Sequence, residues 1–124
     1  MSALPPADRI DGLLNLRDKL RAFAAERDWD QFHSPKNLAI ALSVEAAELL
    51  EHFQWIADTE SGALPSTTLD RVREEMADVL LYLVRLADKL DVDLIDASLG
   101  KLEINAEKYP AKLARGSSKK YTDL

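Results

Sequence analysis

Apolar side chains recur every three or four residues in four stretches of this 124-residue chain, a spacing typical of helices that bury one side. Asp8 is a candidate N-cap for a first helix that runs to about Arg27. Ser34 followed by Pro35 predicts the start of a second helix, which continues to about Ile56. A short polar and aromatic segment therefore separates the first two helices.

The second half of the chain has two further helical patterns. The third helix is expected from about Ser66 to Leu90, and Asp93 can cap a fourth that ends before Pro110. With 4 Gly and 5 Pro, the chain has too few turn-forming residues for the many turns of a β-fold. The prediction is an all-α fold of four helices, with a single domain over residues 1–124 and an irregular tail over residues 110–124.

The composition is that of an ordinary globular protein, with 47% hydrophobic and 31% charged residues. The formal net charge is −6 and no basic face stands out, so a nucleic-acid partner is not expected. An anionic small molecule would need a cation, such as a metal ion, at its site. Cysteine is absent, and neither a signal peptide nor a membrane span is apparent, which makes the cytoplasm the expected location.

The second and third helices are apolar around much of their circumference. Val44 and Ala47 on the second, and Leu81 and Val84 on the third, lie away from the main apolar stripe. A helix that is apolar on most sides is buried on most sides. We therefore expect a homo-oligomer that covers these residues; the alternative is a monomer whose core they widen.

The same two helices carry a repeated acidic motif. Glu45 and Glu48 stand three residues apart on the second helix, and Glu75 and Asp78 do so on the third. At about 100° per residue, each pair lies on one side of its helix, and the apolar stripe has the same angular offset from both pairs. If both stripes enter one core, the four carboxylates face each other across a groove.

Four converging carboxylates repel one another unless a cation binds between them. Mg²⁺ prefers oxygen ligands and commonly bridges to phosphate groups, so the motif points to phosphate ester or anhydride chemistry. A single acid pair usually marks a solvated helix face, and only the matched duplication favours a metal site. A di-iron site would require a His three residues after a Glu. Neither His33 nor His52 stands there, which leaves Mg²⁺, with Mn²⁺ as a substitute.

Further polar and aromatic residues share these helix faces or line up on the fourth helix. Lys and Arg can contact phosphate oxygens, Asn and Tyr can hydrogen-bond to a sugar or base, and Trp can stack on a base. Taken singly, each is equally well explained as an ordinary surface or core residue. The candidates are His52, Trp55, Tyr82, Arg85, Lys101, Asn105 and Lys108.

The two acid pairs resemble the signature of the all-α nucleoside triphosphate pyrophosphatases, the MazG-like superfamily. Much of the remaining chain is most similar to the dCTP pyrophosphatase branch, over residues 26–33, 53–55, 78–84, 109–110, 115–117 and 120–124. The resemblance implies hydrolysis between the α- and β-phosphates, with release of a nucleoside monophosphate and pyrophosphate. It also implies Mg²⁺ among the four acids, a water that attacks phosphorus there, and a homotetramer, or a dimer in some branches.

The resemblance also implies roles for single residues. Glu45, Glu48, Glu75 and Asp78 would serve both metal binding and catalysis, with Glu45 nearest to the attacking water. The implied substrate contacts are Trp29 and Trp55 around the base, Tyr82 and Asn105 as polar partners, and Lys101, Lys108 and Tyr109 towards the phosphates.

One position departs from the branch. Some dCTP pyrophosphatases carry a His in the base pocket where this chain has Leu20, and a Leu cannot hydrogen-bond to a base. Because hydrogen bonds to the base edge give strong discrimination, the choice of nucleotide is open. Three hypotheses follow: a pyrophosphatase for dCTP or modified dCTP in nucleotide-pool house-cleaning, the same chemistry on dUTP or a broad set of nucleotides, and a non-catalytic helical interaction module.

Overall fold

The computed structural model describes residues 12–124. Four long helices occur in this range: α1 Gly12–Glu26, α2 Pro35–Glu51, α3 Ser66–Lys89 and α4 Leu94–Lys108. A one-turn helix, α5, follows at Ala111–Ala114, and short 3₁₀ segments lie at Asp30–Phe32, Asp58–Glu60 and Tyr121–Asp123. Residues 12–124 contain no strand, so the all-α prediction is confirmed. The proposed cap at Asp8 lies outside the described residues.

Two helix starts follow from local hydrogen bonding, as the sequence predicts. The Ser34 hydroxyl accepts a hydrogen bond from the backbone N–H of Asn37 at 3.1 Å, and Pro35 occupies the first turn of α2. The Asp93 carboxylate accepts from the N–H of Asp96 at 3.0 Å and begins α4 in the same way. Each cap supplies an acceptor to an N–H that has no partner within its own helix.

Helix α2 ends five residues earlier than predicted, at Glu51 instead of Ile56. The N–H groups of His52 and Phe53 donate to carbonyls only three residues back, at 3.3 and 2.9 Å. This tighter pattern turns the chain away from the helix axis. The apolar spacing that predicted a longer helix continues through this turn, where the N–H of Gln54 still donates to the carbonyl of Leu50, four residues back, at 3.1 Å.

The C-terminal tail contains one helical turn and a 3₁₀ segment and otherwise has no regular secondary structure. After α5, Gly116 adopts a positive φ of 71°, a conformation that glycine tolerates without steric cost. The ring of Tyr121 then meets Tyr109 edge to face, with ring centroids 5.9 Å apart. Helical periodicity gives no sign of an aromatic contact of this kind between residues 12 positions apart.

The chain divides into two compact units, Met1–Asp91 and Val92–Leu124. In the first unit, α3 packs along α2 and also contacts α1. Leu38 on α2 is fully buried there, as are Ala24 on α1 and Val84 on α3. Val84 is thus covered by its own chain, because α1 covers a second side of α3, and it needs no partner subunit. The second unit contains α4, α5 and the last 3₁₀ segment, and the prediction of a single domain stays a prediction.

None of the helices between residues 12 and 124 combines the length and the apolar character that crossing a membrane requires. The cytoplasmic location stays a prediction.

Candidate metal centre and adjoining pocket

Packing of α2 against α3 brings three of the four motif acids together. One carboxylate oxygen from each of Glu45, Glu48 and Glu75 lies within 4.8 Å of the other two. The Oε2 atoms of Glu45 and Glu75 are buried and have no hydrogen-bond partner among the described residues. Buried acceptors without partners are costly, so these oxygens mark a place where a donor or a cation would bind favourably.

Burial within the group of acids raises the pKa of Glu45 to about 7. Burial is the main cause, followed by hydrogen bonding with Glu48 and Glu75 and by the negative charges of Glu48 and Asp78. A proton shared within the cluster therefore relieves part of the repulsion near neutral pH. An all-oxygen donor set with two unpartnered oxygens fits a hard divalent cation such as Mg²⁺. His52 stands beside the cluster, with Nε2 3.9 Å from Glu75 Oε1, too far for a hydrogen bond.

Asp78, one turn after Glu75, faces a pocket of 240 Å³. The pocket lies between α1, the loop that follows it, and α3. Its apolar and aromatic wall includes Leu20, Phe23, Trp29, Leu81 and Tyr82, and its polar groups are Asp78, His33 and Arg85. Small-molecule sites commonly combine a mainly apolar wall with a few polar groups that fix orientation.

The backbone at the end of α1 turns Trp29 into this pocket. Asp28 adopts a φ of 54°, the left-handed conformation that often terminates a helix. The N–H of Trp29 then donates to the carbonyl of Ala24 at 2.9 Å. The indole ring meets Phe23 nearly at right angles, with centroids 5.7 Å apart. Trp29 is therefore fixed at its backbone and along one ring edge.

The other implied substrate residues are Trp55, which follows α2, and four residues of the second unit. The side chain of Trp55 is 88% exposed and is not part of the pocket wall. Lys101 and Asn105 lie on α4 in the second unit, as do Lys108 and Tyr109 at its end. The Lys108 ammonium lies 5.0 Å from the centre of the Tyr121 ring, within cation–π range. Roles for these five residues in substrate binding stay predictions.

A network of charged side chains lies beside the pocket, and the sequence pattern does not predict it. Arg85, considered as a phosphate ligand, is instead buried and donates to Asp30, His33 and Asp88. Arg21 of α1 donates to Asp88 through two nitrogens, and Lys89 pairs with Asp30. The spacing of Arg85, Asp88 and Lys89 indicates a charged helix face. It gives no sign of the partners, which lie more than 50 residues away along the chain.

The model of the MazG-like family matches residues 40–124. The chain belongs to this family. Its match contains both acid pairs, whereas α1 and Trp29, which form one wall of the pocket, precede it.

Full-length relatives extend the comparison. The chain is 53% identical to mouse dCTP pyrophosphatase 1 and 54% identical to the human protein of that name, each over 104 residues and 82% of this chain. It spans only 61% of the length of these two relatives. A solved pyrophosphatase from Archaeoglobus fulgidus shares 39% identity and superposes with a TM-score of 0.69, covering 89% of this chain and 98% of its own. This MazG-like chain therefore shares its helical fold with a solved pyrophosphatase.

The raised pKa of Glu45 predicts a defined pH dependence of stability. In the folded chain this carboxyl binds its proton up to about pH 7, compared with an ordinary pKa of 4.5, so the folded state holds more protons in between. Its stabilising contribution is therefore complete below pH 4.5 and is lost as the pH rises to about 7. Because Mg²⁺ competes with this proton, the rise in melting temperature on adding Mg²⁺ should be larger at about pH 8 than at about pH 6.

Thermal melts in EDTA and in Mg²⁺ across this range measure both effects. Glu45→Gln is the control, since an amide at this position cannot titrate and should flatten the slope in EDTA. A Mg²⁺-induced shift of equal size at both pH values would contradict the prediction.

Proposed function

We propose that the chain is a Mg²⁺-dependent nucleoside triphosphate pyrophosphohydrolase that acts on dCTP or a modified dCTP. The observation that carries the proposal is that the acid cluster and the aromatic pocket adjoin on α3, at Glu75 and Asp78. Glu75 belongs to the acid cluster with its unpartnered buried oxygens, and Asp78, one turn later, lines the aromatic pocket. The names of the mouse and human relatives support the same chemistry.

Glu45, Glu48, Glu75 and Asp78 are the residues that would hold the cation. When bound, Mg²⁺ offsets the charge of the triphosphate and makes water a better nucleophile. Glu45 lies within the acid cluster, where its carboxylate could accept the proton of the attacking water. The water oxygen bonds to the α-phosphorus while the bond to the α–β bridging oxygen breaks. Water and the triphosphate thereby give a nucleoside monophosphate and pyrophosphate.

The pocket suits a base, since Trp29 and Tyr82 offer aromatic surfaces on which one can stack. The choice of cytosine rests on the names of the mouse and human relatives. Leu20 contributes only shape to the same wall, so discrimination among bases should be moderate. Activity on dUTP or on a broad set of nucleotides is the alternative with the same chemistry.

Product analysis tests the reaction and the substrate together. Purified protein incubated with each common dNTP, 5-methyl-dCTP and the NTPs should convert dCTP to dCMP and pyrophosphate only when Mg²⁺ is present. Ion-exchange chromatography separates the products, and inorganic phosphate from a terminal cleavage would elute separately. Equal turnover of many nucleotides would favour the broad-substrate alternative. No turnover of any nucleotide would favour a non-catalytic helical interaction module.

Glu48→Gln separates a catalytic acid from a merely repulsive one. The substitution removes one negative charge from the cluster and should lower kcat by about hundredfold or more. The melting temperature in EDTA should hold or rise, because repulsion between the carboxylates falls. Glu51→Gln is the matched control, an exposed acid at the end of the same helix, and should change neither quantity. Full activity in Glu48→Gln would argue against the site.

We propose further that copies of the chain associate through α2 and α3, as a homotetramer or a dimer. Several large apolar side chains on these helices are close to half exposed or more: Ile40, Val44, Leu69, Met76 and Leu80. Exposed apolar surface of this extent is typical of an interaction site. Light scattering coupled to gel filtration should therefore give a multiple of the 13.9 kDa chain mass. Ile40→Glu should lower that mass, and a monomeric wild-type chain would refute the proposal.

A further inference from the structure

Arg85 is the charged residue that lies in the buried core of the described part of the chain. Its guanidinium donates in three directions: to Asp30 Oδ1 at 2.5 Å, to His33 Nδ1 at 3.1 Å and to Asp88 Oδ2 at 3.4 Å. Burying an Arg requires such partners, because its charge loses solvation. Two of the three partners lie in the loop after α1, and only Asp88 lies on its own helix.

Polar contacts add to the packing of Trp29 on Phe23 in holding this loop, because its other large apolar side chain is mostly exposed. The side chain of Phe32 is 60% exposed and that of Trp29 is 44% exposed. Asp30 directly follows Trp29, and its carboxylate accepts hydrogen bonds from both Arg85 and Lys89. His33 accepts from Arg85, and burial together with the positive charge of Arg85 lowers its pKa, so it stays neutral and can remain an acceptor.

The helix side of the network is held in place independently. Arg21 on α1 donates to both carboxylate oxygens of Asp88, at 2.8 and 2.5 Å. Asp88 in turn accepts from Arg85. The guanidinium of Arg85 is therefore fixed relative to α1 and α3, and it can serve as a fixed point for the loop. Charge-assisted hydrogen bonds of this kind are the stronger ones in proteins.

We infer that Arg85 is a positioning residue, which acts through Asp30 to hold Trp29 in the wall of the pocket that Tyr82 also lines. The inference rests on the proposed function, in which this pocket receives the base. Trp29 would then hold its binding position before the base arrives. Binding would therefore not carry the entropic cost of ordering the loop. The expected effect of losing the contact is on substrate affinity, since the acid cluster on α2 and α3 does not include the loop.

Asp30→Asn and Arg85→Lys test this in the full chain. Asp30→Asn retains the shape of the side chain but loses the charge that binds Arg85 and Lys89. Arg85→Lys retains the charge but cannot reach three acceptors with fixed geometry. Asp70→Asn is the matched control, an exposed acid on α3 with no hydrogen bond or ion pair among the described residues. Circular dichroism checks that each variant is folded.

Two readouts are measured. Acrylamide quenching of Trp29, in a Trp55→Phe background so that one Trp reports, should increase about twofold or more in both variants. The KM for dCTP with Mg²⁺ should rise about tenfold while kcat stays within about twofold, as expected for a lost binding contact. Asp70→Asn should change neither. Because the Asp30 side chain is 61% exposed, Asp30→Asn decides the matter if Arg85→Lys does not fold.

Unchanged quenching of Trp29 in Asp30→Asn would overturn the inference. So would a lower kcat with an unchanged KM, which indicates loss of correctly folded enzyme. A wild-type chain that turns over no nucleotide would overturn the proposed function instead. In that case increased quenching in both Asp30→Asn and Arg85→Lys would still establish that the contact of Asp30 with Arg85 positions Trp29.

Discussion

Repulsion between carboxylates is the constraint around which the first unit is organised. The contact of α2 with α3 buries apolar side chains, and the same register brings Glu45, Glu48 and Glu75 together. Hydrophobic burial along the two helices thus supplies the free energy that holds like charges at close range. Without a cation, a proton on Glu45 partly relieves the repulsion. The pKa of this carboxyl is raised mainly by burial and further by the neighbouring acids. The stability of the helix pair and its capacity for a divalent cation are therefore linked properties.

The pocket depends on a different set of contacts. Leu20 and Phe23 reach it from α1, Trp29 from the loop, and Tyr82 from α3. Polar contacts link these three elements, with Asp88 bound by Arg21 and Asp30 bound by Arg85 and Lys89. Helix α3 is common to the acid cluster and the pocket, so its position determines the distance between the two. The 24-residue length of α3 lets one rigid element carry both.

Much of the helical fold could be predicted from the sequence because the relevant signals are local. Ser34, Pro35 and Asp93 start helices through contacts within one turn. The matched spacing of the acid pairs was enough to predict that carboxylates from two helices converge, and the structure brings three of them together.

The remaining features depend on contacts between distant residues. The pairing of Arg85 with Asp30 joins residues 55 apart, and many acids in the sequence could have been that partner. In the tail, the rings of Tyr109 and Tyr121 meet although 12 positions separate them. Trp55 lies beyond the end of α2 and is 88% exposed, and the apolar spacing predicts neither feature.

Asp78 has one side towards the acids and another towards the pocket. Its negative charge contributes to the raised pKa of Glu45. Its side chain lines the same pocket as Trp29 and Tyr82. A substitution at this position that alters the pocket would therefore also alter the electrostatics of the acid cluster. The α1 side of the pocket has no such link, since Leu20 and Phe23 carry no charge. Changes to the shape of the pocket, in the laboratory or in evolution, are thus directed to α1, where they leave the acids as they are.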